Sequence, residues 1–380
     1  MPSSDEPPSS SDGSPSLLSC LSSNASSYPD KIALTFLTSG SDGGSITSQL
    51  TYSALERRTS NLARSLLSKH SLAKGERAVL VYPPGLDFAM AFVACLKAGI
   101  VAVPVFPPHP ARGDTIRGFA GIVEGCGARF ALTCGEYRGA KKLGEMKDKL
   151  SRFKKGTTSP WPENLEWITT DGDISKKGGE DDPPLPHPSP SDTAFLQYTS
   201  GSTSAPKGVM ITHGNLAHNL HIITSELEAA DDTVVVSWLP QYHDMGLIGS
   251  YLGILHCGGS GYYMSPLTFL QRPMMWIEAV SKYGGTHLQA PNFAFKLTAR
   301  KFDPKSYPPG WLKLNSVRHI INGAEPCTSS SMDAFQDAFG VYGLRGEVMF
   351  PTYGLAEHTV FVCSGGTQRL RVRKRELEVQ

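Results

Sequence analysis

The chain has 380 residues, 40% of them hydrophobic, and a formal net charge of +1. That length and apolar content provide for a large core in one big or two ordinary domains. The near-neutral charge, with no stripe of basic and aromatic residues, excludes bulk attraction to nucleic acid or anionic lipid.

The seven cysteines are scattered and odd in number, and no two form a CxxC pair. This is the usage of a reduced, cytoplasmic chain rather than of a disulfide framework or a zinc site. Residues 1–16 are rich in serine, proline and acid. They lack both an apolar signal core and the arginines of a mitochondrial leader, so they read as a disordered tail. One domain is then expected over residues 17–380.

In chain order, Lys31–Leu37 reads as a strand. Leu50–His70 reads as a helix, with Leu55, Leu62, Leu66 and Leu67 at helical spacing and Thr51 or Ser53 as cap. Ala78–Tyr82 is an apolar strand. The run Phe88–Phe106 is the most membrane-like, but Lys97, Gly99 and Pro104 interrupt it. It reads instead as a buried helix to Ala98, a Gly99 cap, and a core strand IVAVPV, with no integral membrane segment. Phe106–Asp114 reads as an exposed proline turn, and Phe130–Thr133 as a strand. A long polar region then closes in the loop Asp181–Asp192. Alternating strand and helix predicts an α/β fold with mostly parallel sheets flanked by helices.

The strand Thr193–Thr199 runs into TSGSTSAPKGVM, from Thr199 to Met210. Holding a triphosphate takes inward backbone N–H groups, hydroxyl donors and a cation. Gly201 and Gly208 permit tight turns, Ser200, Ser202 and Thr203 supply hydroxyls, and Lys207 supplies charge. The order is not GxxxxGK[ST], so this is not a Walker A loop. A Ser/Gly/Thr linker is the alternative on composition. The strand entering and the apolar VMIT leaving argue for a loop anchored at both ends.

THGNLAHNLH places His213, His218 and His221 close together. His218 and His221 share a helix face, but no carboxylate is spaced with them, so a packed or solvated helix is the reading. The pair His243-Asp244 follows the strand TVVVSWLP. Gly323–Pro326 leaves the strand Ser316–Asn322. Phe293, Phe295 and Leu297 alternate in PNFAFKL, a core pattern.

Five ordered stretches carry a resemblance: TSGSTSAPKGV, LPQYHDMGLIGS, QAPNFAFKL, NGAEP and PTYGLAEHTV. Together they resemble the adenylate-forming (AMP-binding) superfamily, and with VFPPHPARGD they are most similar to its fatty acyl-AMP ligases. The resemblance covers roughly Leu17 to Gly366. It implies the large N-terminal domain of that fold, ATP and Mg²⁺ as cofactors, a fatty acid substrate, and transfer to an acyl carrier protein or a polyketide synthase carrier domain. It makes Thr199–Thr203, Lys207 and Gly208 the phosphate loop. Gly323, Ala324, Glu325 and Pro326 become the adenine wall, and Thr352, Tyr353 and Gly354 further nucleotide contacts. Glu357 becomes the Mg²⁺ ligand, with Lys207 and His243 also catalytic. His243, Met245, Gly246 and Phe293 border the acyl path. Many relatives have threonine before the glutamate, where this chain has Ala356.

The resemblance also implies a small C-terminal domain with a catalytic lysine, which the motifs up to Gln380 do not include. The expectation is a C-terminally truncated domain with weak or absent catalysis. A fatty acyl-CoA synthetase and a non-catalytic acyl- or nucleotide-binding module are the competing readings.

Overall fold

The computed structural model describes residues 13–40, 42–152, 161–174, 184–199 and 206–366. Most of the expected tail lies outside the described residues. The first helix, α1 (Leu17–Ser27), begins on the Ser16 side chain, whose Oγ accepts from the Ser19 N–H. The apolar run β1 (Ile32–Thr38) follows, then β2 (Ser45–Thr51) and α2 (Tyr52–Ser68). Thr51 caps α2 by accepting from the Ala54 N–H, which satisfies one of the unpaired donors at a helix start.

A run of strand–helix units comes next: β3 (Arg77–Leu80), α3 (Leu86–Ala98), β4 (Val101–Pro104), α4 (Gly113–Cys126), β5 (Phe130–Thr133), α5 (Gly135–Arg152), β6 (Glu166–Thr169), α6 (Asp171–Ile174), β7 (Thr193–Thr199) and β8 (Lys207–Thr212). Their strands form a six-stranded sheet, β6-β5-β3-β4-β7-β8, parallel except for the β7–β8 hairpin at its edge. The polar region after Thr133 thus holds α5, β6 and α6, which its composition concealed.

The rest of the chain returns to a second sheet. It comprises α7 (His213–Glu226), β9 (Val234–Ser237), a π-helix (Met245–Leu252), α8 (Gly253–Cys257), β10 (Ser260–Met264), α9 (Pro266–Gln271), α10 (Met274–Tyr283), β11 (His287–Pro291), α11 (Asn292–Lys301), β12 (His319–Gly323), α12 (Ser329–Phe339) and β13 (Met349–Pro351). A short antiparallel hairpin, β14 (Tyr353–Gly354) and β15 (Phe361–Cys363), follows. The second sheet runs β13-β12-β11-β9-β10-β1-β2, parallel except for β2 at its edge.

α3 packs against β1, β3 and β4 and against α2, so it lies between elements of both sheets. Twelve of its thirteen residues are buried, which explains the membrane-like hydropathy of its sequence. Gly99 ends it at φ 66°, the left-handed conformation that glycine adopts without a Cβ penalty. Lys97, also buried, donates to Glu56 Oε1 at 2.6 Å and to Ser60 Oγ at 2.9 Å. A buried ammonium needs such partners. Among the described residues no helix is long and apolar enough to cross a membrane.

The second sheet is backed by an aromatic cluster centred on Trp276 of α10. Its ring packs against those of Trp238, Phe269, Phe295 and Phe335, with centroids about 6 Å away. Its indole N–H donates to Val236 O at 3.0 Å. The PNFAFKL stretch belongs to α11, not to an alternating strand. Phe295 is therefore fully buried, while Phe293 is 43% exposed and meets the edge of Trp238.

Candidate nucleotide and acyl site

The site gathers where parallel strands of the second sheet end, the usual place for ligands in such sheets. β9 leads into residues 238–244, β12 ends at Gly323, and β13 runs into Thr352. Because β12 and β13 are parallel neighbours, the Thr352 N–H donates to Asn322 O at 2.8 Å. This brings Gly323 within van der Waals reach of Thr352: a Cβ at Gly323 would stand 3.1 Å from Thr352 O. Ala324, next in line, has φ 64°, an uncommon conformation for a residue with a side chain and one that clusters at functional sites.

These segments line one cavity of about 200 Å³. His243, Asp244 and Met245 form one wall, Gly323 and Ala324 a second, and Thr352 and Gly354 a third. Ile223, Leu227, Ile321, Val360 and Phe361 make it apolar. A smaller space of about 20 Å³ shares Ile223, Leu227, Gly249, Gln289 and Ile321 with it and continues toward Cys257 and His287. The π-helix sets this boundary. π-Helical turns are rare and are found at functional sites, and this one carries Gly249 against Gln289. A Cβ at Gly249 would lie 2.6 Å from Gln289 Oε1. Gln289 is held in turn by Ser250 Oγ, to which its amide donates at 2.7 Å.

His243 stands exposed at the cavity, its Nδ1 2.7 Å from Asp244 Oδ1. That hydrogen bond holds its pKa above the ordinary 6.5, although burial opposes it. The same carboxylate oxygen accepts from the Met245 N–H at 2.6 Å and so starts the π-helix. A raised imidazole pKa means that the cationic form, which attracts a carboxylate, is present below that pKa and lost as pH rises through it. Asp244→Asn keeps an acceptor for Met245 but removes the charge. It is expected to move the alkaline limb of fatty acid binding to lower pH, measured by titration calorimetry across pH. An unmoved limb would show that His243 does not meet the carboxylate.

Ser200, Gly201, Ser202 and Thr203 lie outside the described residues. Thr199 and Lys207 flank that loop and face each other in the β7–β8 register, with Lys207 exposed. Gly208 lies under Tyr198, whose ring a Cβ there would meet at 2.8 Å. Among the described residues, no group of three or more His, Cys, Asp or Glu side chains is arranged to hold a metal ion. His218 and His221 lie on the exposed face of α7. Glu357 is exposed, on a 3₁₀ turn (Ala356–His358) that packs against β7. One carboxylate beside phosphate oxygens and waters suits Mg²⁺, which rarely takes an all-protein cage, so the donor set fits that ion.

Several residues expected at the site do not line this cavity. Gly246 does not line it: this turn of the π-helix faces Pro240, whose carbonyl oxygen a Cβ would meet at 2.2 Å. Phe293 does not line it, because the helical twist of α11 carries its ring out to Trp238. Tyr353 is 59% exposed and likewise stands outside the lining. Glu325, exposed with Pro326, accepts from the Phe293 N–H at 2.6 Å, capping α11. Asn219 and Gln289 went unread as site residues. Asn219 sits in the histidine-rich stretch THGNLAHNLH, and nothing in helical spacing marks it.

A two-sheet α/β architecture with these segments at the strand ends defines the class: residues 21–377 match the model of the AMP-binding enzyme family, and the chain belongs to it. Within that family, the chain is 36% identical over 319 residues to the medium-chain-fatty-acid–[acyl-carrier-protein] ligase JamA of Moorena producens, covering 82% of this chain and 50% of that protein. It is 33% identical over 343 residues to the long-chain-fatty-acid–AMP ligase FadD23 of Mycobacterium tuberculosis, covering 89% and 56%. Among solved structures it is similar to the fatty acyl-adenylate ligase from L. pneumophila in complex with acyl adenylate and pyrophosphate. That match has a TM-score of 0.77 at 32% identity and covers 92% of this chain and 56% of the other. The chain thus spans about half the length of the curated relatives it matches.

Proposed function

We propose that this chain forms the nucleotide- and acyl-binding part of a ligase that activates a fatty acid with ATP. The observation that carries this reading is the single cavity shared by His243, the Gly323–Ala324 turn and the Thr352–Gly354 segment, with its apolar continuation past Gln289. In the reaction, a carboxylate oxygen attacks the α-phosphorus of ATP. A carbon–oxygen–phosphorus anhydride forms, the bond to the β-phosphate bridge breaks, and pyrophosphate leaves. Backbone groups of Gly323 and Ala324 hold the adenine. His243 orients the carboxylate for attack. Lys207 and the loop before it hold the β- and γ-phosphates. Glu357 would hold Mg²⁺, which when bound would supply positive charge beside the phosphates.

The acceptor of the acyl group is a carrier protein on this reading, supported by the name of the Moorena relative. Thiol transfer to CoA is the second reading, supported by a relative from Mycobacterium leprae, 33% identical over 356 residues, named as a putative fatty-acid–CoA ligase. The test incubates the chain with ATP, Mg²⁺ and a long-chain fatty acid, with and without CoA, and identifies products by mass spectrometry. Acyl-AMP that persists with CoA present supports the first reading; acyl-CoA supports the second. Lys207→Ala is expected to weaken ATP binding by roughly ten- to a hundred-fold, since a hydrogen bond to a charged group contributes about 1.5–3 kcal/mol. A chain that only scaffolds other proteins would be indifferent to that change.

A further inference from the structure

We infer that Asn219 is a positioning residue that latches the Glu357 turn onto α7; its role toward the nucleotide rests on the function proposed above. Asn219 is 3% exposed. Its side-chain amide donates to Phe361 O at 3.2 Å and, more weakly, to His358 O at 3.4 Å, while its Oδ1 accepts from the Phe361 N–H at 3.2 Å. Both faces of the amide are spent on backbone more than a hundred residues away.

The segment so held is strained. Thr359 has φ 67° and ψ −63°, and the Val360 N–H donates to His358 O at 2.8 Å. This is the γ-turn with positive φ, the rare and strained form, and it is built on a β-branched residue that strongly disfavours that region. Such a conformation persists only where its surroundings over-determine it. The Leu355 N–H closes the loop on Val360 O at 3.0 Å, and Ala356 and Thr359 are both buried. Glu357, between them, is left pointing outward.

The latch also has a direction. α7 continues directly from β8, which begins at Lys207, and Thr212 starts the helix with a reciprocal capping pair to Asn215. The grip of Asn219 therefore ties the carboxylate of Glu357 to the same rigid unit that carries the lysine.

The test compares the wild-type chain with Asn219→Asp, Glu357→Gln and the double variant, measuring ATP affinity by calorimetry with Mg²⁺ and with EDTA. Asn219→Asp keeps the acceptor for Phe361 and loses both donors. Each single variant is expected to lose about ten-fold in affinity with Mg²⁺, equivalent to about 1.4 kcal/mol, and little in EDTA. The double variant is expected to lose no more than either single one. Amide hydrogen exchange over residues 356–361 should rise in Asn219→Asp. Adding Thr359→Gly, which removes the Cβ penalty of that φ, should restore part of the affinity. Additive losses, or equal losses with and without Mg²⁺, would overturn the inference and leave Asn219 a packing residue. A wild-type chain that binds no ATP in either condition would sink the ligase reading. In that case unchanged exchange over 356–361 would overturn the latch as well, and raised exchange would uphold it as a structural tether.

Discussion

Gly354→Ala is expected to remove the Mg²⁺-dependent nucleotide binding proposed above while leaving the bulk of the fold intact. A Cβ at Gly354 would stand 2.0 Å from Val360 O, and that oxygen already accepts from the Leu355 N–H. The clash is with backbone, so no rotamer change relieves it. Either β14 or the turn after it must move by more than an ångström. Among the described residues β14 pairs with β15 alone, and the pair is two and three residues long, too short to resist. Tyr353 and Glu357 flank the glycine, and both shift with it. A displacement of about 1 Å costs a catalytic site about a hundred-fold in rate, and a comparable loss of nucleotide affinity is expected here. The expected result is a loss of at least that order in ATP affinity with Mg²⁺, with the urea midpoint close to wild type because the hairpin lies outside both large sheets. Affinity within about three-fold of wild type, well below that hundred-fold expectation, would mean that neither Tyr353 nor Glu357 meets the nucleotide.

Trp276→Ala acts on the opposite quantity. It is expected to destabilise the chain by about 3–5 kcal/mol, the range for removing a buried large aromatic. Three terms act together. The indole is fully buried, so its transfer free energy is lost in full. Four aromatic partners lose their ring contacts, two of them edge-on. Val236 O, inside β9, loses the indole donor, and an unsatisfied buried carbonyl is itself costly. Against a total stability of about 5–15 kcal/mol for a folded protein, the loss is large. Urea denaturation followed by far-UV circular dichroism reads it directly. Trp276→Phe should retain more than half, since it keeps the ring and loses only the hydrogen bond and some volume. Equal losses for the two would show that the hydrogen bond, not the packing, dominates.

Much of the fold was legible because its central elements are buried on all sides. Ala78–Tyr82, Phe130–Thr133 and Thr193–Thr199 carry apolar cores of strand length, and α3 with Gly99 is an apolar helix with its cap. The unread elements are those whose structure comes from a neighbour. β2 is exposed along most of its length and is a strand only because β1 offers an edge. α5 hides among lysines and glycines. The alternation of PNFAFKL suggests period two, yet the segment is a helix. In the site, the resemblance pointed to segments, while which of their side chains face the cavity depends on twist and register, which the sequence does not display. Gly246 and Phe293 turn away for that reason. Asn219 was illegible in principle: its partners lie at residues 358–361, and only the folded chain brings them together.

The two sheets are nested in the order of synthesis. β1 and β2 belong to the second sheet, yet the partner of β1 is β10, more than two hundred residues downstream. The six-stranded sheet lies wholly between them in sequence. As the chain leaves the ribosome, that sheet can close on its own strands, while the β1–β2 ribbon waits with one edge unpaired until residue 264 has emerged. Long-range parallel pairing is slow and leaves apolar edges open meanwhile. The uncharged strand IALTFLT is thus open to misassociation during birth of the protein, and the polar β2 that covers one of its edges acts as its guard until β10 arrives.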